Sequence, residues 1–504
     1  MGAIDWIARR AGYVLPSEAK PAKRAYNAAK SNLLTSSWDT QPTPTDYDIR
    51  LGLRTLRARS REISQNSDYV KRFLGLLRSN VVGPEGVVLR PRILNTRGGP
   101  DKLANEAVRD AWRRWGKFGV ADVSGRMTWV GIQREVIANV ARDGEVFIRP
   151  VIGQQNAFGF SLQFIDPELV DVDLNLEVAD SRTGNRVVMG VELNGFDRPV
   201  AYYLMTPSRN AQSTGVYSYG RRSYTRVPAD ELHHLYLAEE GVSQTRGVPW
   251  TAASLYRLGM LNGYEEAELV AARVASAKMG FFEQEGGAEE YIGDDVDDDG
   301  NIITDAEPGS FEVLPKGMKV ADWSPQHPTT SFADFVRANL RGIAAGLGVS
   351  YFTLANDLEN VNYSSGRLGA LEDREGWKAL QNWLIGAFIE PVYTDWLRMA
   401  LATSQIVVKG QPVTLARYAK LQRVTWQPRR WSWVDPQKDL TAQKTAVELR
   451  VKSISEVIRE MGSDPEEVFT EIAEERERMN ELGITPSEVM GALAAPGQEP
   501  PAED

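Results

Sequence analysis

Residues 250–280 set the first limit on the fold, because they hold no proline and seven alanines: Ala252, Ala253, Ala267, Ala271, Ala272, Ala275 and Ala277. A helix of about 30 residues spans roughly 45 Å at 1.5 Å per residue. Small side chains let a neighbouring helix come close, while Glu265, Glu266 and Glu268 keep part of the surface polar. Such a helix is either the core of a monomer or one stave of a helical barrel. A second amphipathic pattern starts near Ser331, with Phe332, Phe335, Val336, Leu340, Ile343 and Leu347 on one face. Gly346 and Gly348 are its terminators. Between the two patterns, residues 283–312 carry 12 acidic side chains and no basic one. In a monomer such a run is a solvated loop.

The charge is uneven elsewhere too. The net formal charge is −10, yet residues 1–115 contain 21 Lys and Arg against 11 Asp and Glu, and residues 435–504 contain 7 against 17. Arg50, Arg54, Arg57, Arg59 and Arg61 are spaced partly as on a helix. They either bind nucleic acid or pair with acidic regions of a neighbouring subunit.

Composition argues against an enzyme. The 504 residues suffice for two or three domains, or one large core with insertions. The absence of Cys removes disulfides, thiolate metal sites and Cys nucleophiles together, and fits a reducing compartment. The three histidines are His233, His234 and His327, and neighbours on a strand send their side chains to opposite faces, so the first two suit one metal badly. No H-E-x-x-H, G-x-S-x-G, P-loop or G-x-G-x-x-G occurs. Asp171 and Asp173 form a carboxylate pair, but alternate strand residues commonly face solvent and no nucleotide-binding loop accompanies them. No apolar run is long enough to span a membrane, and the N-terminus is too short and polar for a signal peptide.

Along the chain the pattern predicts an α+β fold. Residues 1–48 read as an extended arm. One helix is expected from about Asp48 to Asn80, a second carrying Trp112 and Trp115, and a third from Thr128. Strands follow at Glu145–Arg149 and Phe160–Ile165, with a hairpin from Val188 to Leu204 turning at Asn194-Gly195. A strand-turn pattern occupies 311–320, and a loop 349–366. A long helix from about Arg367 to Leu401 should kink at Pro391. The helix opened by Asp435-Pro436 carries Leu440, Val447, Ile454 and Ile458 and closes at Met461-Gly462. Ser463–Glu466 starts the next and Thr485–Glu488 a short third. Residues 491–504 should be disordered.

Several segments, in order, resemble the lambda-like family of tailed-bacteriophage portal proteins. They are Leu56-Arg-Ala-Arg-Ser-Arg61, Asn80-Val-Val-Gly83, Arg246-Gly-Val-Pro249, Pro308-Gly309, Leu340 through Tyr351, Asn362-Tyr-Ser-Ser365 with Arg367, and Trp433-Val-Asp-Pro436. Each is weak alone, and together they are specific over about residues 50 to 460. The resemblance implies a ring, usually of twelve subunits, at one capsid vertex of the virion, assembled in the host cytoplasm, with double-stranded DNA packaged and ejected through a central channel. It implies a wing at 49–249, a stem helix at 250–282, a clip at 283–328 and a second stem helix at 329–348. A tunnel loop at 349–366, further wing at 367–435 and a helical crown at 436–490 complete the order. The implied partners are terminase and head-completion (adaptor) protein at the clip, and the major capsid protein, with no cofactor.

Two sets of residues follow from this mapping. The clip would recruit its partners through Glu283, Glu285, Glu289, Glu290, Asp294, Asp295, Asp297, Asp298 and Asp299. The tunnel loop would meet DNA through Asn356, Asp357, Glu359, Asn360 and Asn362, where Asn can contact phosphate without adding charge. Each phosphate neutralised by Lys or Arg adds salt-dependent binding, so a largely acidic channel would leave the duplex mobile. Asn362–Ser365 would equally serve as a helix cap. The alternative to a portal is a calcium-binding structural module at 295–306. Asp295, Asp297, Asp299 and Gly300 match the opening of an EF-hand loop, but the twelfth position, which should supply a bidentate Glu, is Ala306.

Overall fold

The computed structural model describes residue 36 and residues 40–180, 184–206, 223–276, 281–284, 318–321, 332–359, 362–431, 436–461 and 465–483. Helices and antiparallel sheets share the chain, as the α+β pattern predicts. The first described helix, α1 (Thr45–Asn66), already begins inside the segment expected to be an arm, and Asp46 and Asp48 in its first turn favour the positive end of its dipole. The single helix expected over 48–80 is two. Ser67, with extended backbone at φ −109° and ψ 124°, separates α1 from α2 (Asp68–Leu77). Helix α2 widens into a π turn at Arg78–Val82 and stops at Gly83, whose φ of 78° suits glycine.

Strand β1 (Val88–Pro91) leads to α3 (Lys102–Trp115), capped by the Asp101 carboxylate, and α4 (Trp129–Asp143), capped by the Thr128 hydroxyl. Their faces meet in an aromatic cluster, with the Trp112 ring 4.8 Å from Trp115, 5.3 Å from Trp129 and 4.8 Å from Trp396. Strands β2 (Glu145–Ile152) and β3 (Phe160–Ile165) follow. The next five, β4 (Leu176–Asp180), β5 (Asn185–Val188), β6 (Val191–Leu193), β7 (Pro199–Met205) and β8 (Tyr224–Pro228), form one antiparallel meander. The expected hairpin is therefore three strands. Its tight first turn is at Met189-Gly190, and the turn begun by Asn194-Gly195 runs on to Arg198. β9 (His233–Tyr236) returns beside β2, giving a second sheet in the order β3-β2-β9. Phe147, Ile165, Val170, Val191, Leu193 and Tyr202 fill the space between the sheets.

After Pro249 a 3-10 turn, Ala252–Ser254, leads into α5 (Leu255–Ser276). Strands β10 (Phe281–Gln284) and β11 (Met318–Ala321) pair antiparallel, so residues 281–282 are strand where a stem helix to 282 was expected. α6 (Phe332–Gly346) comes next. The expected loop at 349–366 contains a helical turn, α7 (Tyr351–Ala355), and the long helix begins early, as α8 (Tyr363–Leu384). It widens into a π turn at Ile385–Ile389 before α9 (Glu390–Ala402). Pro391 has no N–H to offer Ala387 and its ring would clash there, which accounts for the irregularity one turn upstream.

The small hairpin β12 (Val407–Val408) and β13 (Gln411–Pro412) and the turn α10 (Tyr418–Leu421) precede β14 (Val424–Gln427), which pairs with β1. The next helix also divides, into α11 (Pro436–Glu448) and α12 (Ile454–Glu460), around Arg450 at φ 57°. Helix α13 (Pro465–Leu482) is the last described element. The helix expected at 485 and the tail from 491 lie outside the described residues.

Candidate functional site

Helices α5 and α6 pack on each other near the end of α5 that leaves the sheets. Leu258 and Leu261 meet Leu340, Ile343 and Ala344 in the core, and Tyr264 stacks edge-on against Phe335 at 5.0 Å. Gly342 and Gly346 have no space for a Cβ, because Arg257 and Ser254 cross them. Glycine at these two positions makes room for opposing side chains, whereas Ala267 and Ala272 of α5 are exposed and, among the described residues, bring no helix close. Much apolar surface of the pair is uncovered: Tyr256 is 83% exposed, Leu269 72%, Met260 63%, Val270 56% and Phe335 50%. α5 and α6 together carry four acidic and four basic side chains, so these helices add no net charge. The acidity expected of a channel is concentrated instead in 283–312.

The connection from α6 to α8 is braced on both sides. The Asp373 carboxylate of α8 accepts hydrogen bonds from the Ser350 backbone N–H at 2.9 Å, the Ser350 hydroxyl at 2.6 Å and the Thr353 hydroxyl at 2.9 Å. Phe352 fills the space a side chain at Gly369 would need. At the exit of α7, Asn356 adopts the left-handed conformation at φ 55°, which asparagine tolerates. The chain then turns so that the Tyr351 hydroxyl donates to Asp357 Oδ2 at 2.8 Å, and Arg337 Nε of α6 lies 4.0 Å from the same oxygen. Arg341, one turn further along α6, sits 5.7 Å from the Tyr351 ring centre.

This geometry separates the five loop residues singled out from the sequence. Asn356, Glu359 and Asn362 are exposed, Asn360 lies outside the described residues, and Asp357 is turned back onto Tyr351 and Arg337. The Tyr351 hydroxyl bond, then the Glu359 backbone N–H, hold the Asp357 carboxyl below its ordinary value. Burial and the facing carboxylate push the Tyr351 phenol up. Asn362 also precedes α8, and its carbonyl accepts the Gly366 N–H at 2.9 Å.

Before the start of α5 lies a buried ionic hub centred on Glu145, whose members are far apart in the sequence. Glu145 of β2 is fully shielded, and its two oxygens accept from Arg57 Nη2 at 2.7 Å, Arg246 Nε at 2.9 Å, Arg246 Nη2 at 2.5 Å, His234 Nε2 at 2.8 Å and the Gly247 N–H at 3.0 Å. Burial pushes this carboxyl's pKa up, but Arg246, His234 and Arg57 outweigh it and hold it far below the carboxylate range. Arg246 also donates to the carbonyls of Val170, Met189 and Pro167, which ties the two sheets to the strap entering α5. His234 lies between Phe147, stacked at 4.2 Å, and Tyr236 at 4.6 Å. Burial first, and the two guanidiniums after it, keep its pKa below the ordinary histidine value against the pull of Glu145.

The basic residues of α1 are corrected by this hub. Arg57 and Arg61 pair within the chain, with Glu145 and Glu168, and with Asp143 and Asp166 respectively; Arg54 pairs with Asp171 and Asp173. They satisfy acids of their own chain, while Arg50 and Arg59 remain exposed. A signal was present: Arg57 falls on the same helical face as Ile49, Leu53 and Ile63. The carboxylate pair Asp171 and Asp173 is held by Arg54, and Tyr224 donates to Asp171 at 2.6 Å. His233 turns away from His234 to Asp395 at 3.2 Å, and His327 lies outside the described residues.

Of the acidic residues assigned to a clip, Glu283 lies in β10, opposite Lys319 in the strand register. Glu285, Glu289, Glu290, Asp294, Asp295, Asp297, Asp298 and Asp299 lie outside the described residues, and the calcium-loop alternative lies there with them. Among the described residues no group of three or more His, Asp or Glu is placed to hold a metal ion, and no helix is long and apolar enough to cross a membrane.

Three kinds of similarity bear on this chain. The family described as phage portal protein, lambda family, matches residues 31–381. The probable portal protein of Halomonas phage phiHAP-1 is 36% identical, with 100% of this chain and 98% of that protein aligned. Portal protein B of Escherichia phage lambda is 21% identical over 89% of this chain and 88% of its own, and the portal protein of Escherichia phage N15 is 21% identical over 89% of each. Among solved structures, a chain from the neck of an empty gene transfer agent particle aligns at 14% identity and a TM-score of 0.38, covering 85% of this chain and 97% of that one. With the family matched over more than half the sequence and a relative aligned end to end, the chain belongs to the lambda family of phage portal proteins.

Proposed function

We propose that this portal protein closes into a ring, of about twelve copies, in which α5 and α6 line a channel that double-stranded DNA enters during packaging and leaves on ejection. The supporting observation is the exposed apolar surface of α5. A helix that leaves Tyr256, Met260, Leu269 and Val270 to solvent in one chain is suited to burying them against the next chain. The ring would stand at one capsid vertex of the virion after assembly in the host cytoplasm, in contact with the major capsid protein. Terminase, and later a head-completion protein, would dock on the acidic residues 283–299. The role is structural, and ATP hydrolysis belongs to a separate protein.

In this reading 49–249 with 367–435 is the wing, 250–282 and 329–348 are the stem, 349–366 is the tunnel loop and 436–490 the crown. Asn356, Glu359, Asn360 and Asn362 are its DNA-facing residues, and Asp357 is a brace behind them. Mass in solution tests the proposal: one chain is 56.0 kDa and twelve are about 670 kDa. A particle with an axial hole and a mass near the larger value supports it; a stable single chain at high concentration overturns it.

A further inference from the structure

Arg337 and Arg341 lie one turn apart on α6, a spacing at which like charges repel. Among the described residues, two carboxylates reach Arg337. Asp334 Oδ1 is 3.5 Å from Arg337 Nη1, and the loop carboxylate Asp357, carried in by the left-handed turn at Asn356, is 4.0 Å from Arg337 Nε. Tyr351 fixes that carboxylate with its hydroxyl and lies under the Arg341 guanidinium. Asp357 therefore lies at ion-pair distance from Arg337, held there by the Tyr351 hydroxyl, which also bonds Arg337.

We infer that Arg337 is a masked phosphodiester site, occupied by Asp357 when the loop is stowed and open to a DNA phosphate when the Tyr351–Asp357 contact parts. This rests on the channel reading and adds the cationic contact that reading lacked. A phosphate and a carboxylate are alike in charge and in accepting from guanidinium, so exchange needs no new pocket. With Asp357 in place Arg337 keeps an internal counter-charge and offers the duplex no unpaired cation, so DNA slides. With it displaced, each subunit gains one charge-assisted contact. Loop position would thereby set how firmly the duplex is held.

The test measures binding of a labelled DNA duplex by the full-length chain across a salt series, for wild type, Asp357→Asn, Glu359→Gln, Arg337→Gln and the double variant Asp357→Asn with Arg337→Gln. Glu359→Gln removes the same charge from an exposed loop position and leaves the mask intact. The expected result is that Asp357→Asn tightens binding several-fold near 0.1 M salt and steepens the log–log salt slope by about 0.9 per phosphate engaged. Glu359→Gln should do much less, Arg337→Gln alone little, and the double variant should return to wild type. Equal effects of Asp357→Asn and Glu359→Gln would mean that charge count alone matters, and would overturn the inference. So would tightening that survives loss of Arg337. Particle mass, read on the same samples, tests the ring separately, so the two ideas can fail independently.

Discussion

Arg246 Nη2 lies 2.5 Å from Glu145 Oε1, and neither side chain has any solvent exposure. All five N–H donors of Arg246 have acceptors, on β2, on the turn after β3 and on the tight turn at Met189. Two sheets and the strap into α5 thus share one guanidinium. Arg246→Ala should destabilise the chain by about 3–5 kcal/mol, because the partner carboxylate stays buried without its main counter-charge. Urea unfolding of the full-length protein would show this as a lower midpoint. A midpoint equal to wild type would show that Arg246 does not hold the sheets together.

The same hub gives stability a pH dependence with a definite sign. Burial, Arg246 and Arg57 keep His234 neutral in the folded chain, whereas in the unfolded chain it gains a proton near its ordinary value of about 6.5. Below that pH the unfolded state binds the extra proton, so stability is lost as pH falls, by up to about 1.4 kcal/mol per pH unit. Glu145, whose pKa is also lowered on folding, adds a loss in the same direction at more acidic pH. Unfolding midpoints should be flat from pH 7 to 8 and fall from pH 6.5 to 5. His234→Gln should flatten the upper part of that fall, and an unaltered slope in this variant would remove His234 from the account.

Gly247 gives a sharper steric test. It crosses Gly144, the left-handed end of α4 at φ 88°, so closely that a Cβ on Gly247 would collide with the Gly144 carbonyl. The obstacle is backbone on both sides and cannot swing away. Gly247→Ala should cost more than about 2 kcal/mol and loosen the strap that Trp250 N–H anchors on the Ala141 carbonyl at 3.0 Å. Amide exchange at the start of α5 should accelerate with the loss in stability. Unchanged exchange and an unchanged unfolding midpoint would contradict the close crossing.

Which of these features could be read from the sequence depended on how local their causes are. Apolar spacing located α3, α4, α6 and the helical character of 255–276, because periodic burial writes itself into nearby residues. The break at Ser67 and the split around Arg450 carry no Pro or Gly, and periodicity continues across both. Helix α7 was read as loop because it is fixed by Asp373, some 20 residues downstream. The hub was harder still. Arg57 and Arg61 find their acids 82–111 residues away, so their helical spacing was visible and their partners were not. The segments Leu56–Arg61 and Arg246–Pro249 marked the family correctly, yet their physical task is internal and shows only once β2 and β9 bring Glu145 and His234 between them.

The exposed apolar side chains of α5 supply the last prediction. Leu269 and Val270 stand adjacent on α5, both more than half exposed, and neither belongs to the hydrophobic core of the chain. Burying a leucine between copies stabilises contact by about 1.5–3 kcal/mol, and an aspartate in its place would instead place an unpaired charge in the interface. Because a ring repeats that contact at every junction, the penalty recurs with each subunit. Leu269→Asp should leave the far-ultraviolet circular dichroism and unfolding midpoint of the dissociated chain intact while lowering the particle mass toward 56.0 kDa. Leu269→Met, which keeps the apolar surface, should leave the mass unchanged. A full-mass particle from the aspartate variant would place the subunit contact elsewhere on the molecule.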